Sequence, residues 1–220
     1  MSDERFERLK SASNPRRAKL EDASALSRLC AAAFLNDPVF DWSARSGPKR
    51  AAGLEQFFYW FLHMRTIPFG EVWMSDDGAT CAIWLPPDTQ ARSRGFLDQL
   101  KLIPMFVRLR GFMRFRRGSA MANAMRENHP QERHFYLALL AVEPHFRGMG
   151  LGSAILEATL KRADAAHLPA YLENSNPRNT RLYERAGFVT QKNIAPNSAP
   201  PLVAMWRPSR FGEEPLANRD

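Results

Sequence analysis

The sequence predicts a single α/β domain, a central sheet with helices on both faces. Three observations carry this. Leu137 to Val142 is a continuous apolar run of strand length, the pattern of a strand covered on both faces. It breaks at Glu143-Pro144 and enters a turn with glycine at alternate positions, Gly148, Gly150 and Gly152, followed by helical periodicity from Ser153 to Ala166. Upstream, Glu71 to Met74 and Thr80 to Leu85 flank Ser75-Asp-Asp-Gly78, a hairpin signal.

The remaining elements follow in order. Met1 to Arg17 is polar and basic, and reads as a loose segment (1–17) before a domain over 18–208 and a tail over 209–220. Asp22 to Phe34 places Ala25, Leu26, Leu29, Ala32 and Ala33 at helical spacing, with Asp22 as a cap. A second helix covers Pro48 to Arg65; its run from Phe57 to Leu62 is apolar nearly all round, as in a buried helix or one lining an apolar pocket. Pro86-Pro87 ends the hairpin. One or two helices fill Ser93 to Arg117, interrupted at Pro104 and Gly111. Ala170 to Asn174 reads as a short strand after Pro169. Asn176 then caps a helix with Pro177 at its first position and Gly187 at its end. Val189 to Ile194 and Leu202 to Trp206 complete the set as two strands.

Composition sets bounds. With 220 residues and 45% hydrophobic content, one sizeable core suffices. No apolar run is long enough to span a bilayer, and the first residues are charged from Asp3, which predicts a cytoplasmic protein. Cys30 and Cys81 make neither a disulfide framework nor a metal spacing and read as reduced core residues. The net charge of +8 concentrates in Lys101, Arg108, Arg110, Arg114, Arg116 and Arg117, among Phe106, Phe112 and Phe115. On a helix wheel the apolar and basic residues separate, as in a solvated helix packed on a sheet; no recognised nucleic-acid module accompanies them.

The glycine turn is where chemistry enters. Unpaired N–H groups at a helix start and the helix dipole attract an anion, and Arg147 adds a fixed charge, so the ligand carries phosphate. A P-loop needs a Lys-Ser/Thr pair, which is missing; the dinucleotide fingerprint has another spacing and opens its fold. Farther on, Asn176, Asn179 and Tyr183 fall at i, i+3 and i+7, predicting one shared helix face.

Arg147, Gly150 and Gly152 match the R/Q-x-x-G-x-G/A signature of the GCN5-related N-acetyltransferase (GNAT) superfamily, which the chain resembles. The resemblance runs from about Lys19 to Arg207. Ala31 to Pro38, Glu71 to Gly78 and Ala141 to Phe188 look like puromycin N-acetyltransferase and its bacterial relatives. It implies a mixed, mostly antiparallel sheet with a cofactor cleft between splayed strands, and acetyl-CoA as co-substrate without a metal. By the resemblance, the amides of Arg147, Gly148, Met149, Gly150, Leu151, Gly152 and Ser153 hold the pyrophosphate. Ala141 and Val142 pair with the pantetheine, and the Leu140 N–H receives the carbonyl oxygen. Asn176 and Asn179 contact the pantetheine or phosphate, and Tyr183 protonates the departing thiolate.

The base stays open among three residues. Glu173 is the first, with pairing to an arginine as its structural alternative; His134 (or a solvated histidine) and Asp37 (or a turn cap before Pro38) are the others. Attack by an amine already neutral, or deprotonation through water, also fits. The acceptor implied is a primary amine of a small molecule, with no nucleic acid and no membrane span, in a monomer or homodimer. A protein lysine or N-terminal amine, or a non-catalytic acyl-CoA-binding module, are the alternatives.

Overall fold

The computed structural model describes residues 3–87, 103–196 and 198–210, with backbone alone at 103–113 and 115. In chain order these form helix α1 (Asp3–Ser13), strand β1 (Arg16–Arg17), α2 (Ala23–Ala33), α3 (Pro38–Ser43) and α4 (Arg50–Phe61), which continues as a π-helical turn, Leu62–Thr66. The hairpin β2 (Glu71–Met74) and β3 (Thr80–Leu85) follows, then α5 (Ile103–Asn128), β4 (Phe135–Val142), α6 (Leu151–Ala165) and β5 (Ala170–Asn174). Helix α7 (Thr180–Arg185), β6 (Val189–Ile194) and β7 (Leu202–Arg207) close the fold.

The sheet has seven strands in the order β1-β2-β3-β4-β5-β7-β6. Every pairing is antiparallel except β4 with β5. That parallel ladder holds Phe135↔Ala170, Tyr136↔Tyr171 and Leu137↔Leu172, and stops there. Both strands run on beyond it, so they splay. On the other edge of β4 the register steps from Ile83↔Leu139 to Trp84↔Leu137, leaving Ala138 as an extra residue. Such a bulge bends a strand, and here it falls where β4 leaves β5. The mixed sheet and the cleft implied by the resemblance are both present.

Alternation along β4 divides the core. Leu137, Leu140 and Val142 meet α1, α6 and α7, with Leu151, Ile155 and Leu156 fully buried between. Leu139 and Ala141 meet α2 and α4, where Phe58 and Leu62 have no exposure. Cys30 and Cys81 lie in this second core with their sulfurs 3.9 Å apart. The apolar run of α4 is therefore buried along one face only: Tyr59 is exposed and Phe61 borders a cavity.

Several boundaries differ from the sequence reading. Residues 3–13 are a helix rather than a loose segment. Ala12 is buried, Leu9 packs on α6, and the Arg8 guanidinium lies 3.5 Å from the Phe146 ring centre. The packed unit thus begins ahead of residue 18. Pro104 does not interrupt α5, because it stands in the first turn, where its missing N–H has no intrahelical partner to lose. Gly111 lies within the same uninterrupted helix. Residues 93–102, and most of the tail read over 209–220, fall outside the described residues. Of the basic cluster, Arg114 donates to the carbonyls of Asp41 and Ala44, both at 2.7 Å, and Arg117 to that of Trp42. These two cations pin α5 to the end of α3, a favourable place for positive charge. Among the described residues no helix is long and apolar enough to cross a membrane.

Candidate active site

The turn after β4 is built by two different uses of glycine. Gly148 and Gly150 have φ of +80° and +93°, the left-handed region that side chains disfavour. Gly150 caps α6 in that conformation. Gly152 is a packing glycine: a Cβ there would lie 3.3 Å from Leu182 Cδ1 and 3.4 Å from Val142 Cγ2. It lets α6 sit close over β4 and α7, which aims the first-turn N–H groups of Leu151, Gly152 and Ser153 past the end of β4. Arg147 donates through Nη2 to the Ala33 carbonyl at 2.6 Å, tying the turn to the end of α2. Helix α1 reaches the turn too, with Arg5 Nε donating to the Met149 carbonyl at 3.2 Å.

Along β4, backbone direction decides which residues face the splay. The Ala141 carbonyl accepts from Thr80 Oγ1 at 2.8 Å, and Glu143 N–H donates to Ala79 at 2.8 Å, so both are turned toward β3. Alternation turns the backbone of Leu140 and Val142 the other way, toward the open cleft. Ala141 is thus corrected as a backbone partner for a ligand in that cleft.

The shared face drawn for Asn176, Asn179 and Tyr183 is also corrected. Asn176 is extended, at φ −128°, and its side chain accepts from the Arg178 N–H. A tight 3-10 turn over Pro177–Asn179 precedes α7, which shifts the register: Asn179 is exposed while Tyr183 is buried. Tyr183 packs edge-on to Phe188 in the core beneath α6. Burial, with the Asp37 charge adding, pushes its phenol far above the ordinary tyrosine range.

The three base candidates separate. Asp37 is the cap of α3, accepting from the N–H groups of Val39 and Phe40, while its other oxygen accepts from Ser175 Oγ. Burial raises its pKa. His134 is buried, not solvated; its ring lies between Tyr171 and Trp206, and burial lowers its pKa. Glu173 has a side chain 2% exposed and, among the described residues, pairs with no arginine. Its Oε2 accepts from the Tyr136 hydroxyl at 2.5 Å, and its Oε1 is buried without a hydrogen bond. It stands one residue past the last β4–β5 pair, at the apex of the splay. His129, which sequence reasoning did not single out, lies with its Nδ1 3.8 Å from Glu173 Oε1. Nothing in the local sequence marks it, since it lies at the far end of a long helix and joins the site only through the sheet.

The model of the acetyltransferase (GNAT) family matches residues 108–188, which contain β4, the turn, β5 and α7. Over those residues the chain is similar to the GNAT superfamily. A mycothiol acetyltransferase from Streptomyces coelicolor is 28% identical over 109 residues, 48% of this chain and 35% of that protein. One from Streptomyces avermitilis is 29% identical over the same lengths. The match to these curated relatives thus spans about a third of their length. Among solved structures, a Corynebacterium glutamicum protein described as histone acetyltransferase HPA2 and related acetyltransferase is 24% identical, with a TM-score of 0.69 over 90% of this chain and 97% of that one. The polyamine N-acetyltransferase of Drosophila melanogaster is 18% identical, with a TM-score of 0.55 over 88% and 97%. These structures share the GNAT fold.

Proposed function

We propose that this chain transfers an acetyl group from acetyl-CoA to a primary amine of a small molecule. The observation that carries the reading is the course of the β4–β5 splay, which opens at the glycine turn and closes at Glu173. A phosphate-bearing ligand anchored on the first turn of α6 has an open strand edge, at Leu140 and Val142, along which to extend. The names of the relatives support the reaction class, and that of the Drosophila protein supports a small amine as acceptor.

The residues divide the work as acetyl transfer requires. The amides from Gly148 to Ser153 hold the pyrophosphate, and α6 contributes its dipole. The acceptor reaches the apex as an ammonium ion, and Glu173 takes its proton. The free amine attacks the thioester carbonyl, whose oxygen gains charge against the Leu140 N–H. Collapse of the tetrahedral intermediate expels the thiolate, and Tyr183 donates its phenolic proton to it. Burial raises the Tyr183 pKa, so the phenol is protonated at neutral pH and present as a donor. Arg147 holds the turn against α2, and Asn176 shapes the entry to α7.

Thiol release from acetyl-CoA, followed across a panel of primary amines with puromycin, agmatine and tyramine in it, tests the reading. Turnover with an amine, lost in Glu173→Gln, is the expected result. Release only with a peptide bearing a lysine or free N-terminus would make the acceptor a protein. Binding of acetyl-CoA with no release on any amine would make the chain a sensor of acyl-CoA.

A further inference from the structure

Behind Glu173 lies a row of polar groups that acetyl transfer as described does not use. Glu173 Oε1 is 3.8 Å from His129 Nδ1. His129 Nε2 is 3.1 Å from His134 Nε2, and His134 Nδ1 is 2.6 Å from the Glu132 carbonyl. Both histidines border a cavity of about 470 Å³ at the closed end of the splay, the end of β4 away from the glycine turn.

Hydrogen-bond accounting fixes the protons along this row. A carbonyl only accepts, so His134 carries its proton on Nδ1, and its neutral Nε2 offers a lone pair. The facing His129 Nε2 must then be the donor. With its proton on Nε2, His129 turns the lone pair of Nδ1 toward Glu173 Oε1. That lone pair is the acceptor for a proton arriving on the carboxyl group. Tyr136 already donates to the other carboxylate oxygen.

We infer that Glu173, His129 and His134 form a proton relay, which carries the proton taken from the acceptor amine out to this cavity. The inference rests on Glu173 being the base. Glu173 accepts the ammonium proton and becomes a carboxylic acid, then passes it to His129 Nδ1 and returns to carboxylate. His129, now an imidazolium, gives its Nε2 proton to His134 Nε2. His134 releases its Nδ1 proton to water in the cavity, and reorientation of both rings restores the starting tautomers. Burial lowers the basicity of His134, which suits the member that must let go. The groups facing the pair are Tyr136 from β4, Tyr171 and Glu173 from β5, and the Glu132 carbonyl. Arg65, Arg126, Arg133 and the Glu132 carboxylate stand around the cavity.

Nitrogen-15 NMR of the histidine rings in the full chain tests the row without any acceptor. His134 is expected as the Nδ1–H tautomer and His129 as the Nε2–H tautomer. A His134 protonated on Nε2, or a His129 protonated on Nδ1 in the resting protein, overturns the relay. Turnover gives the second arm, with tyramine and agmatine as acceptors. His129→Gln should lower kcat about ten-fold, with the KM for acetyl-CoA unchanged, and added imidazole should restore it. An unchanged kcat in a variant whose parent depends on Glu173 overturns the relay and leaves the base standing. Activity that survives Glu173→Gln removes the base, and the relay with it. If neither amine turns over with wild type, the acetyl-transfer reading is what has failed for them, and the ring-nitrogen spectra decide the relay.

Discussion

Tyr136 and Glu173 are joined across the parallel pair, the phenol donating to Oε2 at 2.5 Å although Tyr136 stands opposite Tyr171 in the register. The bond runs diagonally, from the last closed rungs of the ladder to the first residue of the open cleft. It holds a buried carboxylate at the apex, and Tyr136 is itself buried enough that its pKa rises far above the ordinary value. Tyr136→Phe leaves that carboxylate short of a donor. A hydrogen bond to a charged group contributes about 1.5–3 kcal/mol, so urea unfolding at pH 7 should show a loss of that order.

Tyr183 is buried and its phenol stays protonated, so Tyr183→Phe changes little in packing and removes one transferable proton. Turnover should fall about 10²-fold or more, while the Kd for acetyl-CoA measured by calorimetry stays within about two-fold. Equal loss of binding and turnover would make Tyr183 a packing residue.

Gly152 separates the ligand role of the turn from its packing role. Gly152→Ala brings a methyl within 3.3 Å of Leu182 and 3.4 Å of Val142, tighter than a relaxed contact. Either α6 lifts or α7 moves, at about 1–3 kcal/mol. The thermal midpoint should drop, and acetyl-CoA binding should weaken even though no charge changes.

Acid sensitivity has a marked contribution at the start of the fold. Arg16 grips Asp22 through two bonds of 2.8 Å, and the guanidinium holds that carboxyl down at about 2, from an ordinary 3.8. The folded state therefore binds fewer protons than the unfolded chain between those values. The contribution is complete above about pH 4 and is lost as pH falls through about 2. Urea melts of wild type and Asp22→Asn should differ at pH 6 and converge near pH 2.

The elements with strong local signals were legible in the sequence. The hairpin strands over Glu71–Met74 and Thr80–Leu85 stand where alternation and Ser75-Asp-Asp-Gly78 place them, and so does the strand–glycine–helix passage after Leu137. What escaped depends on partners remote in sequence. Helix α1 buries little beyond Leu9 and Ala12, so its own sequence carries almost no apolar stripe, and its order comes from Phe146, Asp77 and α6. The direction of the Ala141 backbone is set by Thr80, and a one-residue bulge at Ala138 fixes which β4 residues face the cleft. His129 meets Glu173 only because the sheet brings the end of α5 beside β5. Periodicity placed Asn179 with Tyr183 by assuming one continuous helix, which the 3-10 turn at Pro177 breaks.

The most direct test of the account is calorimetric titration of acetyl-CoA into the full chain, with Gly150→Glu beside it. At φ +93° the glutamate strains the cap of α6 and sets a carboxylate beside the place assigned to pyrophosphate. The account predicts binding on the order of micromolar for wild type, lost in a variant that remains folded by circular dichroism. A folded wild type that takes up no acetyl-CoA, or a Gly150→Glu protein that binds as tightly, would contradict it.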